Sequence, residues 1–147
     1  MRKYTFLVFL VLFDFLSKQY FVSILSDGKT ISLFKDIFSL KLAYNRGVAF
    51  SLPISGLFLQ ILTILIIGFL GKHFYQVEYP KKSRLLDFGY MLIFSGAISH
   101  AYERIFHGQV VDFIAVKYFA ILNFADIFIS IGAFLIFCAY VIHRKHR

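Results

Sequence analysis

The sequence holds a single cysteine, Cys138, inside a continuous apolar run, so it offers neither a disulfide framework nor a cysteine metal site. It has no internal repeat and no low-complexity tract, and it brings together no Ser-His or Cys-His pattern that would mark an activated nucleophile. The closely spaced histidines around a glutamate that mark zinc-peptidase helices are also missing. Acids are scarce: eight Asp and Glu stand against sixteen Lys and Arg. In a soluble protein that balance would suggest nucleic acid, but here the basic residues bunch between hydrophobic runs, which is a topology signal.

What is abundant is apolar surface. Hydrophobic residues make up 59% of the 147 positions and aromatics 20%, well above the roughly 45–50% apolar share of soluble domains. The mean hydropathy of +0.74 places the chain in lipid. The fold class expected is an all-α membrane protein forming one domain over 1–147. Its four transmembrane helices fall at about 4–25, 54–71, 85–106 and 124–143, with outer segments 26–53 and 107–123. The first span follows Arg2 and Lys3 like a secretory signal, but Asp14 and Lys18 interrupt it and no small-residue cleavage site follows, so it is read as retained.

Lys and Arg number nine in the amino terminus, the 72–84 linker and the carboxyl tail, against five in the two longer connections. Both termini are therefore expected on the cytoplasmic side of the membrane. In 26–53, Phe38, Leu40, Leu42 and Tyr44 alternate with Ser39, Lys41, Ala43 and Asn45, the period of a strand, which implies a small extracytoplasmic β-sheet cradle between helices 1 and 2. Residues 109–122 are mostly apolar and are expected to pack into the interface.

Ionisable residues at membrane depth are functional candidates. Asp14 and Lys18, four apart, share a helix face and can pair, either as structure or to orient substrate. His100, Glu103 and His107 form a stripe that could ligate a metal with Asp112; a hydrogen-bonded helix end is the alternative. Asp126 could be simply a first-turn acid with Asn123 as N-cap. Taken as a pair, Asp112 and Asp126 both fall at the outer boundary. Two carboxyls held close share one proton, so one can activate water while the other polarises a carbonyl. A carrier with an Asp14, Lys18, Glu103 and Arg104 relay is the reading from a different class.

The runs Asn45-Arg46-Gly47-Val48-Ala49-Phe50-Ser51, Gly108-Gln109-Val110-Val111-Asp112-Phe113-Ile114 and Asn123-Phe124-Ala125-Asp126 resemble, in order, the motifs of bacterial lipoprotein signal peptidase (signal peptidase II). Asp14 and Lys18 fit the same pattern. The resemblance implies a metal-free aspartic endopeptidase that needs no cofactor. It would remove signal peptides from diacylglyceryl-modified prolipoproteins by cutting before the lipidated cysteine. Asp112 and Asp126 would be catalytic. Asn45, Gly47, Arg104 and Asn123 would hold the substrate or the pair, and Asp14 and Lys18 would support the site. The partners implied are the lipid-modified prolipoprotein and membrane lipids, with no nucleic acid, and the protein would act as a monomer. Where that family usually has Asn, two residues and Asp-Arg, this chain has His100-Ala101-Tyr102-Glu103-Arg104, so its supporting shell is expected to be rearranged.

Overall fold

The structure, a computed structural model, describes residues 2–35, 37–47 and 56–145. Val48 to Ser51 of the first motif and the expected start of the second helix at Ile54 lie outside the described residues. Among the described residues there are four α-helices: α1 (Arg2–Leu25), α2 (Gly56–His73), α3 (Arg84–His107) and α4 (Phe124–Lys145). Three stretches, Tyr4–Leu25, Gly56–Lys81 and Phe124–Ile142, are long and apolar enough to cross a membrane. They carry little buried surface and present rows of exposed Leu, Ile and Phe.

α3 differs for a physical reason. It is the inner helix of the bundle and buries Asp87, Ser95, Ser99, His100 and Glu103 along with its apolar residues. It therefore has length enough to span but a polar inner face. Its contact with α4 depends on missing side chains: a Cβ on Gly96 would lie 2.4 Å from the Ala125 carbonyl oxygen, and one on Gly132 would lie 2.6 Å from that of Gly89. Such close backbone approach is how helices associate where no hydrophobic effect separates them from lipid. Ser83 caps the start of α3 and Gly108, in the left-handed region at φ 69°, ends it.

The 72–84 segment is not the plain linker expected from its lysines. α2 continues through a π-helical turn, Phe74–Glu78, and a 3-10 turn, Tyr79–Lys81. Glu78 is buried there, accepting from the Tyr140 hydroxyl and from Lys81 Nζ at 3.0 Å, with His73 Nε2 3.2 Å from its carboxylate. These contacts fasten the end of α2 to α4.

At the other end of the bundle lies a four-stranded antiparallel meander: β1 (Thr30–Phe34), β2 (Phe38–Asn45), β3 (Val110–Val116) and β4 (Ala120–Leu122). The alternation in 38–45 is indeed a strand. The sheet is not confined to the connection between helices 1 and 2, however, because 109–122 supplies its other half. β3 is buried at Val110, Asp112 and Phe113, so its apolar run lacks the alternation of a one-sided strand. Phe113 stacks on Phe21 of α1 with ring centroids 4.2 Å apart and meets Phe124 edge-on at 5.5 Å. Successive strand residues face opposite ways, so locking Phe113 between those rings also fixes the direction of Asp112.

Candidate functional site

The site is built on the first turn of α4. Asn123 Oδ1 accepts the Asp126 backbone N–H at 3.1 Å, and Asp126 Oδ2 accepts the Asn123 backbone N–H at 3.1 Å. This reciprocal pair is a capping box, and it satisfies donors that a helix start leaves without partners. A further first-turn donor, Ala125 N–H, goes to Asp14 Oδ1 at 2.8 Å. The reading of Asp126 as a capping acid is thus correct in geometry, but it uses only one carboxylate oxygen. The other, Oδ1, lies 3.0 Å from His100 Nε2 on α3.

Asp112 reaches the same place from the sheet. It pairs with Ala43, and Asn45, two residues along β2 on the same face, donates from Nδ2 to Asp112 Oδ2 at 3.3 Å. Asn123 Nδ2 donates to Asp112 Oδ1 at 2.6 Å. Asn123, fully buried, therefore touches both acids, one through its side chain and the other through its backbone as well. Asp112 is only 4% exposed, and burial pushes its carboxyl up from the usual 3.8 to about 6. The charge of Asp126 adds to the rise, while the Asn45 and Asn123 donors and His100 oppose it. A carboxyl in that range holds its proton in mildly acid solution and gives it up near neutrality.

Behind the pair runs a buried line of charge. Asp14 Oδ2 accepts from the Ser99 hydroxyl and forms an ion pair with Lys18 Nζ at 2.7 Å; Lys18 Nζ donates to Glu103 Oε2 at 2.5 Å. Glu103 Oε1 accepts the Val111 N–H at 3.2 Å. The line starts on the N–H just before Asp126 and ends on the N–H just before Asp112. Lys18, itself buried, holds the two acids together. The expected Asp14–Lys18 pair is present and faces the bundle.

Arg104 is not part of this line. Its Nη2 donates to the Gly47 carbonyl at 3.3 Å, and Gly47 N–H donates to Asn45 Oδ1 at 3.1 Å, so Arg104 and Gly47 position the asparagine beside Asp112. The supposed metal stripe does not converge: His100 faces Asp126, His107 packs 5.8 Å from the Tyr102 ring, and the described residues contain no group of three possible ligands able to hold a metal ion. The helix-end alternative is corrected too, because Glu103 bonds Lys18 and Val111 rather than Arg104 or His100. A cleft of about 190 Å³ opens beside Lys18, Glu103 and Tyr44, and neither Asp112 nor Asp126 lines it.

Sequence reasoning missed the contacts of His100 and Glu103 and overlooked Ser99. A signal existed, since Ser95, Ser99 and Glu103 recur at four-residue intervals and mark a polar stripe on a helix otherwise rich in apolar residues.

Apolar helices around a buried polar site define a membrane-embedded protein, and comparison with known proteins makes it a peptidase. The family profile for signal peptidase (SPase) II matches residues 6–142. The chain is 33% identical over 135 residues to a lipoprotein signal peptidase of Clostridium novyi, covering 88% of this chain and 90% of that one. It is 36% identical over 148 residues to one of Fusobacterium nucleatum, covering 98% and 88%. A solved bacterial membrane enzyme, determined by the in meso method at 2.3 Å, superposes with a TM-score of 0.86 at 25% identity over 99% of this chain and 91% of that one. A second, at 1.9 Å, gives 0.82 at 28% identity, covering 95% and 92%. The chain belongs to the signal peptidase II family.

Proposed function

We propose that Asp112 and Asp126 are the catalytic pair of this peptidase. The reaction is the removal of signal peptides from diacylglyceryl-modified prolipoproteins by cleavage before the lipidated cysteine, as family membership supports. The observation that carries the pair is Asn123, a single buried residue bonded to both carboxyls. In the working site one carboxylate takes a proton from water as its oxygen attacks the scissile carbonyl carbon, while the protonated partner donates to the carbonyl oxygen. The tetrahedral intermediate then collapses: the C–N bond breaks, the leaving amine takes a proton from the carboxyl that had acted as base, and one hydroxyl of the intermediate returns a proton to the partner carboxylate. Asn45, held by Gly47 and Arg104, and Asn123 position the pair. Asp14 and Lys18 hold the segments that carry it.

All four helices, α3 included, cross the cytoplasmic membrane as one domain over 1–147, with both termini cytoplasmic and the pair at the extracytoplasmic face. Support comes from the lysines of the 72–84 segment, which lie at the end of the bundle opposite the sheet. The substrate helix enters sideways from the bilayer, its acyl chains staying in lipid while the sheet covers the cut, and the enzyme works as a monomer without a metal.

Purified protein incubated with a lipid-modified precursor should yield a shortened product. Asp112→Asn and Asp126→Asn should each abolish it while the protein stays folded, and substantial cleavage by either variant would refute the pair. Chelators should leave the activity intact; a loss that zinc restores would argue for a metal instead.

A further inference from the structure

From Leu57 to Leu70, α2 has two polar side chains, Gln60 and Thr63, on a helix whose one buried residue is Leu59. The Thr63 hydroxyl turns back to the Leu59 carbonyl of its own helix at 2.8 Å. Gln60 reaches out instead: its Nε2 donates to the Arg104 carbonyl of α3 at 2.7 Å. A carbonyl only accepts, so the contact fixes which end of the amide faces α3. Arg104 stands in the last turn of α3, four residues before Gly108, where carbonyls run out of partners within their own helix. Polar groups kept at membrane depth are functional candidates, and this one is spent on a single bond between helices.

The same arginine makes a second contact, from Nη2 to the Gly47 carbonyl at 3.3 Å. Gly47 lies before, and Gln60 after, the connection from β2 to α2, so Arg104 fastens both sides of it, one with its side chain and the other with its backbone. From Gly47 the bonds continue to the site: its N–H donates to Asn45 Oδ1 at 3.1 Å, and Asn45 Nδ2 donates to Asp112 Oδ2 at 3.3 Å. The two 3.3 Å links are long for hydrogen bonds, so a small displacement of the last turn of α3 breaks them, whereas the 2.7 Å bond from Gln60 is what holds that turn. Arg46 Nε also reaches Gln109 Oε1 at 3.2 Å, but that exposed bond joins β2 to the turn before β3 and does not involve α2.

Resting on the reading of Asp112 and Asp126 as the catalytic pair, we propose that Gln60 is a positioning residue for the cleavage: by holding the last turn of α3 it sets Arg104 on Gly47 and so keeps Asn45 on Asp112. Gln60 touches neither carboxyl. Asn123 still holds Asp112 from the other side at 2.6 Å, so losing Gln60 slows the reaction without abolishing it.

The test uses Gln60→Met and Gln60→Leu, which fill the space of the amide without its donor and suit a membrane-spanning helix. In single-turnover cleavage of a lipid-modified precursor with enzyme in excess, both should lower the maximal rate about tenfold per folded protein. The half-saturating enzyme concentration should hardly move, because misplacing a catalytic group costs rate rather than ground-state binding. In an Asn45→Ala background the same substitutions should cost roughly twofold or less, since the bond they act through is already gone. An unchanged rate in both variants would overturn the proposal. So would a loss of the same size in the Asn45→Ala background, or one that vanishes once the folded fraction is counted. Asp112→Asn and Asp126→Asn measured alongside separate the two ideas: activity in either refutes the pair itself, whereas two inactive variants beside undiminished Gln60→Met and Gln60→Leu refute only the role of Gln60.

Discussion

Replacing Asp112 by Asn should make the protein inactive and, above neutral pH, more stable. In the folded chain this carboxyl is pushed from 3.8 up to about 6, chiefly by burial. A rise of about two units corresponds to about 3 kcal/mol, at roughly 1.4 kcal/mol per unit. Because the folded value lies above the ordinary one, the folded state binds the proton more tightly. That contribution is fully present below about pH 4 and is lost as the pH rises through 6. At pH 8 the wild type therefore holds an ionised buried carboxylate at a cost near 3 kcal/mol, which an uncharged amide does not have. Against this, an asparagine cannot accept from both Asn45 and Asn123 as Asp112 does at 3.3 and 2.6 Å, and the lost hydrogen bond costs about 1 kcal/mol. The variant should be more stable than the wild type by about 2 kcal/mol at pH 8 and less stable by about 1 kcal/mol at pH 4. Unfolding by denaturant in detergent micelles at several pH values reads this difference directly. A variant-to-wild-type difference that does not change with pH would refute the reasoning. A buried site carboxyl held at a cost in stability fits the usual trade between activity and stability.

Three further substitutions test the frame around the pair. Lys18→Met leaves Asp14 and Glu103 buried without their shared cation and should cost about 3–5 kcal/mol in the same unfolding assay, with a Lys18→Met, Glu103→Gln double variant less affected. Gly96→Ala drives a methyl to within 2.4 Å of the Ala125 carbonyl, so it should cost about 1–3 kcal/mol and also reduce cleavage by moving the start of α4; unchanged stability would mean that the two helices do not approach so closely. Asn123→Ala removes the helix cap and the side-chain hydrogen bond to Asp112, leaving only the backbone N–H on Asp126. It should lower stability by about 1–2 kcal/mol and reduce kcat far more than that loss explains, measured on precursor at saturating concentration.

Much of the site could be read from the chain because its residues come in local runs. Asn123 and Asp126 lie within one helical turn, and Asp14 and Lys18 lie four apart, so their contacts follow from helix geometry. Glu103 and His100 were out of reach for the opposite reason. Their partners are Lys18, 85 positions away, and Asp126, 26 positions away, and spacing along a chain carries no record of which helices pack together. The second half of the sheet was hidden because β3 is buried at consecutive positions and shows no alternation. The π-helical extension of α2 was hidden because 72–84 read as a basic linker, whereas buried Glu78, held by the Tyr140 hydroxyl and Lys81, keeps the segment helical.

By itself, the sequence determined that the chain belongs in lipid, where its four helices lie, and that acids stand in otherwise apolar stretches, because hydropathy and charge are sums over neighbouring residues. Only the tertiary structure decided what surrounds Asp112 and Asp126. It set Asn123 between them, placed His100 on Asp126, and ran the Asp14–Lys18–Glu103 line from the start of α4 to the start of β3. The contacts of Lys18 with Glu103, of Asp14 with the Ala125 N–H and of His100 with Asp126 join segments far apart in sequence. Their positions follow from the glycine-lined approach of α3 to α4 and from Phe113 wedged between two rings, which are packing facts that no single stretch of chain contains.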